Sequence, residues 1–183
     1  MRDSHQITDK YCGAILYLIQ IVFFGGAEVQ KFRSQLMLDE QRFLFDVWCK
    51  ASLGNQMPSR AEFSPCCFGP LLPFVSLVDF KDEEGPKIRV TGSGLRDVFG
   101  KDPRLALAQK NVAGAIDTIN QILECKKPMA GTEEIDSTGR YRFWLRLPLG
   151  RNGKVESIVG LDLTISGSRA PAWAFEQIRA NAK

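Results

Sequence analysis

Residues 141–165 read YRFWLRLPLGRNGKVESIVGLDLTI, from Tyr141 to Ile165, and their pattern decides the fold. Phe143, Leu145, Leu147 and Leu149 alternate with Arg142, Trp144, Arg146 and Pro148, the period of two expected of a strand with two unlike faces. Asn152-Gly153 follows, a pair that supplies positive φ at both central positions of a type I′ hairpin turn. Val155, Ser157, Val159, Leu161 and Leu163 then alternate with Glu156, Ile158, Gly160, Asp162 and Thr164. Two long strands joined by a tight turn predict an antiparallel sheet. The alternation assigns its leucine-rich face to the interior and the face bearing Arg142, Trp144, Arg146 and Asp162 to the outside.

Working outward, Thr132 to Ile135 forms a further strand that enters the turn Asp136-Ser137-Thr138-Gly139. Upstream of it Val112, Ala115, Ile116, Ile119, Ile122 and Leu123 make an apolar stripe at helical spacing from about Val112 to Glu124, closed off by Pro128. Phe74 to Phe80 and Lys87 to Thr91 flank Asp82-Glu83-Glu84-Gly85-Pro86 as strand, turn and strand. Leu95, Val98 and Phe99 then share one side of a short helix, and Asp102-Pro103 opens another that carries Leu105 and Leu107. An amphipathic helix over Leu36 to Leu53 precedes all of this. The polar, proline-punctuated stretch from Asn55 to Pro65 predicts no regular element, and Ala172 to Ala182 predicts a short C-terminal helix. The fold class is therefore α+β: a five-stranded antiparallel sheet with helices on one face, preceded by an N-terminal amphipathic helix. Residues 1–34 form an apolar extension, 35–167 the domain, and 168–183 a tail.

Several chemistries are excluded by composition. Twenty-four Lys and Arg against twenty-one Asp and Glu give a formal charge of +3, too balanced for the basic stripe that a nucleic-acid backbone requires. The single histidine, His5, stands near the N-terminus, so a histidine-based triad or a multi-histidine metal site is not expected. Cys12, Cys49, Cys66, Cys67 and Cys125 show neither C-x-x-C pairing nor zinc spacing. They read as reduced structural thiols in a cytoplasmic protein with no metal. Between Lys10 and Glu28 the chain carries no charge, a length at the lower limit for a membrane span. Residues 11–27 thus offer a signal segment, a membrane anchor or an association surface, and the sequence leaves these open.

The order of strands and helices is that of a PAS domain, and the residues add a closer resemblance. Trp48-Cys49-Lys50, Gln56-Met57-Pro58-Ser59-Arg60, Leu72-Pro73-Phe74, Leu77-Val78-Asp79, Ile88-Arg89-Val90-Thr91-Gly92-Ser93, Leu95 and Phe99-Gly100 occur in that order. So do Lys127-Pro128, Arg146-Leu147-Pro148-Leu149 and Val159-Gly160. Over roughly residues 38 to 166 this resembles a family of bacterial single-domain PAS proteins. Two positions depart from the family pattern: Val47-Trp48 stands where a tyrosine-tryptophan pair is usual, and Lys101 to Leu105 contains no glycine.

The resemblance implies a non-enzymatic sensory or protein-interaction module in signalling, with output through contact with a partner protein, as a homodimer. A helix laid over the leucine-rich face would bound a pocket for a small apolar ligand by Ile88, Val90, Val98, Ile116, Ile119, Leu123, Phe143, Leu145 and Leu161. Arg142, Trp144 and Arg146 would form the interaction surface, since arginine and aromatic residues dominate interface hot spots. No cofactor is expected: residues 106 to 126 hold no histidine for haem, and no asparagine-cysteine-arginine run exists for flavin. The rival reading is an enzyme that moves a proton with a buried carboxylate in a cone-shaped α+β fold. Its candidates, Asp79 and Asp162, both read as solvated.

Overall fold

The computed structural model describes residues 26–52, 55–81, 85–99, 113–136 and 139–166. Helix α1 (Gly26–Gln35) and helix α2 (Asp39–Ala51) lead into a 3-10 segment over Pro65–Phe74. Strands β1 (Val75–Lys81) and β2 (Gly85–Thr91) come next, followed by the short helix α3 (Leu95–Phe99) and helix α4 (Ala113–Cys125). Strands β3 (Met129–Asp136), β4 (Arg140–Arg151) and β5 (Lys154–Ser166) complete the chain. The five strands form one sheet in the order β2-β1-β5-β4-β3, antiparallel at every pairing. The expected α+β class, sheet and leading helix are thus present.

Asn152 and Gly153 take φ of 52° and 72°, the left-handed geometry that a type I′ turn demands. The hairpin fixes the register Leu145↔Leu161 and Trp144↔Asp162. Helix α4 ends with Lys126 at φ 57°, whose amide donates to the Ile122 carbonyl, and Pro128 follows. The stretch from Asn55 to Ser64 holds no helix or strand, as expected, and Pro65–Phe74 then winds into 3-10 turns, kinked at Phe68. Proline at the N-terminal turn costs no hydrogen bond and presets φ for such a turn.

The sheet has two unlike faces, as the alternation requires: the leucine-rich face is the interior, as expected, but the leading helix packs there, and the face expected to lie outside is partly covered as well. Helix α2 lies on the leucine-rich face. Its Leu44, Phe45 and Trp48 join Leu145, Leu147, Leu149, Val159 and Leu161 in one core, while Leu38 packs on Phe143 with Leu163 and Ile165. Gln41 Oε1 accepts from the backbone amides of Met37 and Leu38, and its Nε2 donates to the Trp144 carbonyl. Trp48 Nε1 donates to the Pro148 carbonyl at 2.8 Å. Helix α1, which lies largely in the stretch set apart as an extension, is fastened to α2 by Phe32 against Phe45 and by a two-pronged Arg33–Asp46 ion pair. The opposite face receives α3, whose Phe99 ring lies 5.0 Å from the Arg142 guanidinium carbon.

Candidate functional site

Strand register lays the polar side chains of the α3 face out in rows. Thr91, Ser76, Gly160, Arg146 and Met129 form one row across all five strands. Asp162, Trp144 and Gly131 form the next, and Thr164, Arg142 and Glu133 the third. A row of four apolar residues, Ile88, Val78, Ile158 and Pro148, borders them.

These charges are not solvated. Asp162 is 1% exposed, and the Arg146 and Arg142 side chains are 15% and 12% exposed. Burying a charge is costly unless it is paired and hydrogen-bonded, and Arg146 meets both conditions. Its Nη2 donates to Asp162 Oδ1 at 2.7 Å, and its Nη1 donates to the carbonyls of Leu145 and Leu161. The guanidinium also lies 5.6 Å from the Trp144 ring centre. Two glycines make room for this arrangement. A Cβ on Gly160 would press on Ser76 Oγ and the Arg146 guanidinium, and one on Gly131 would collide with the Trp144 indole. Arg142 pairs with Glu133.

A second charged node occupies the other face near the β1–β5 pairing. Asp79, 7% exposed, accepts from Ser157 Oγ at 2.8 Å, from Arg60 Nη1 at 3.0 and 3.2 Å, and from Arg89 Nε at 2.9 Å. Burial alone would push its carboxyl up, but the Ser157 hydroxyl and the two arginines outweigh it and hold the group below its ordinary value. The sequence reading of Asp79 and Asp162 as solvated carboxylates is therefore corrected: both are buried and bound to arginine. A carboxylate meant to take up a proton near neutrality needs its pKa raised, and Asp79 is shifted the opposite way.

The expected pocket residues separate. Phe143, Leu145 and Leu161 are fully buried beneath α2, on the face away from α3. Ile119 and Leu123 of α4 join the main core, and Val98 is buried on α3. Ile88 is half-buried on edge strand β2, and Val90 is 45% exposed. The side chain of Ile116 lies outside the described residues, as do Leu105, Leu107, residues 11–25 and the Ala172 to Ala182 segment. Arg142, Trp144 and Arg146, expected on an open surface, are instead half-buried on the face that α3 approaches. A signal for this was present: Gly131 and Gly160 stand in otherwise side-chain-rich strands, and glycine inside a strand marks a close approach.

Five antiparallel strands with helices after the second strand are the arrangement of a PAS domain. The profile of the PAS domain family matches residues 38–132, over half of the chain, and the chain belongs to that family. Comparison with curated proteins finds no match. The charged layer draws most of its members from β4 and β5, beyond the matched span. Among the described residues no helix is long and apolar enough to cross a membrane.

Proposed function

We propose that this PAS domain is a non-enzymatic sensory module of the cytoplasm that works as a homodimer and passes its state to a partner protein by contact. The observation that carries the reading is the charged layer in which half-buried Arg146 pairs with buried Asp162 beside Trp144, and half-buried Arg142 lies under Phe99 of α3. Burying a paired charge gains little stability over an apolar core, so we read the layer as serving recognition rather than folding. The gating ligand expected from the sequence was apolar. On this face it would meet guanidinium, indole and carboxylate groups, so the ligand proposed is polar.

Native mass spectrometry of the full chain, combined with hydrogen exchange on the same sample, tests the reading. The expected result is a dimer in which a small molecule, retained or added, slows exchange in α3 and in the β4–β5 hairpin. A monomer whose exchange is the same with and without every small molecule and protein offered would overturn it.

A further inference from the structure

A cleft opens at the end of β4 remote from α3. From Arg142, beside Phe99 of α3, to Arg151 at the β4–β5 turn the strand runs about 30 Å. There the turn meets the irregular 55–62 stretch, and the two enclose about 360 Å³, room enough for a small metabolite. The walls are fastened to each other. The Gly150 amide donates to the Pro58 carbonyl at 3.0 Å, and a Cβ on Gly150 would press on the Lys154 carbonyl and the Met57 sulfur. Within the 55–62 wall the Ser59 amide donates to Glu62 Oε2 at 2.7 Å, which engages one carboxylate oxygen and leaves the other to the cleft. The shape is therefore set before any ligand arrives.

The lining is polar, with the carboxamides of Gln56 and Asn152 beside Ser59, Glu62 and Arg151. Lys126 stands at the rim. Its Nζ lies 3.8 Å, and Gln56 Oε1 4.0 Å, from the point that a Cβ on Gly153 would occupy. Neither Lys126 nor Arg151 forms an ion pair within 4.0 Å among the described residues. Lys126 also holds φ at 57°, the left-handed position after a helix that glycine usually fills, because a Cβ is penalised there. A side chain retained against a backbone cost points to a use for that side chain.

Two cations flanking one hairpin tip suit a phosphate group, which takes charge-assisted hydrogen bonds from lysine and arginine alike. Carboxamides both donate and accept, and the remaining Glu62 oxygen accepts, a set that matches hydroxyl groups. We infer that this cleft binds a small phosphomonoester with a hydroxylated body, a sugar phosphate by class. Lys126 and Arg151 take the phosphate, and Gln56, Asn152 and Glu62 take the hydroxyls. The site stands apart from the α3 face and does not rest on the sensory reading.

Glucose 6-phosphate serves as the probe, titrated into the full chain by calorimetry, with glucose and inorganic phosphate as its two halves. Saturable binding is expected, with glucose at least about tenfold weaker, the ratio that follows from losing hydrogen bonds to charged groups. Inorganic phosphate should also bind more weakly than the sugar phosphate. Lys126→Gly should weaken glucose 6-phosphate by at least about tenfold while the midpoint of thermal unfolding without ligand stays at or above that of the parent, since glycine adopts the left-handed position freely. Weaker binding in a chain that is no less stable cannot come from a damaged fold. Arg151→Gln, a change at an exposed position, should weaken binding likewise with the midpoint unchanged. No saturable binding, equal affinity for glucose, or full affinity in both variants would overturn the site. Equal affinity for inorganic phosphate would overturn the role given to the carboxamides, and a lower midpoint in Lys126→Gly would overturn the argument from the retained lysine.

Discussion

At the scale of single residues, Asp79 is a buried carboxylate held by three side chains. It lies within the apolar run of β1, and only the convergence of Ser157, Arg60 and Arg89 keeps it ionised there. The sign of its pH dependence follows from its depressed pKa. A carboxyl whose folded value lies below the ordinary 3.8 contributes stability that is fully present above that value. The contribution is lost as pH falls through the lower, folded-state value. Asp79→Asn should remove part of the acid limb of the stability–pH curve and destabilise at neutral pH by about 1–3 kcal/mol, the range for lost hydrogen bonds to a charged group, since the arginines left behind reach solvent. Urea unfolding of both proteins from neutral pH down to strongly acidic pH checks this, and parallel curves would mean that the node does not titrate with folding. Cys49 is the opposite case: burial first, with Asp46 adding to it and Arg33 opposing, pushes its thiol up to about 12. The thiolate is the reactive form, so iodoacetamide should label the exposed Cys66 and Cys125 in the native protein and reach Cys49 only after unfolding. Peptide mapping by mass spectrometry reads this directly, and native labelling of Cys49 would show that α2 opens readily.

At the scale of elements, the hairpin shows how much a pattern can settle. Alternation in β4 and β5, with Asn152-Gly153 between them, predicts two strands, their turn and their register, because a slip of one residue would turn every side chain to the wrong face. Leu145, fully buried in β4, then gives a sharp test. Leu145→Ala should cost about 2–5 kcal/mol, as large-to-small core changes do, whereas exposed Glu156→Ala should stay within about 0.5 kcal/mol. Equal losses in thermal or urea unfolding would contradict the register. The same alternation cannot say which helix covers which face. Leu145 and Arg146 look inner and outer when the strand is read alone, and only the cross-strand partners of Arg146 reveal that its charge is neutralised in place. Asp162 lies sixteen residues away in sequence, and the Leu161 carbonyl comes from the same distant strand. Helix α2 was legible as an amphipathic element for the same local reason as the hairpin. Its destination was not, because both Leu44 and the strand leucines require only an apolar neighbour, and the sequence names no particular one. Gln41, buried at 2%, was missed altogether: it looks like a polar helix residue until its amide is seen joining the start of α2 to the Trp144 carbonyl.

At the scale of the whole molecule, α1 connects the domain to the apolar residues before it. Phe32 and Arg33 tie α1 to α2, and Glu28 reaches Lys127 at 3.5 Å beyond the end of α4. The helix is therefore built into the domain, and a truncation that tests the upstream residues must spare it. Residues 11–25 include Ile15, Leu16, Leu18, Ile19, Val22 and Phe23, more apolar surface than a single protein in water leaves uncovered. Phe43 on α2 is itself exposed at 47%. A second copy of the chain is the partner that the proposed homodimer supplies for these residues. Deleting residues 1–25 should thus leave the sheet and its unfolding midpoint nearly unchanged while shifting the protein from dimer to monomer. Sedimentation at several concentrations, set beside thermal unfolding of the same samples, separates the outcomes. A truncated chain that no longer folds would make the segment part of the core, and a full-length chain that is monomeric without detergent would remove the case for self-association. Partition of the full-length chain, but not the truncated one, into the membrane fraction would assign the same apolar residues to a lipid surface instead.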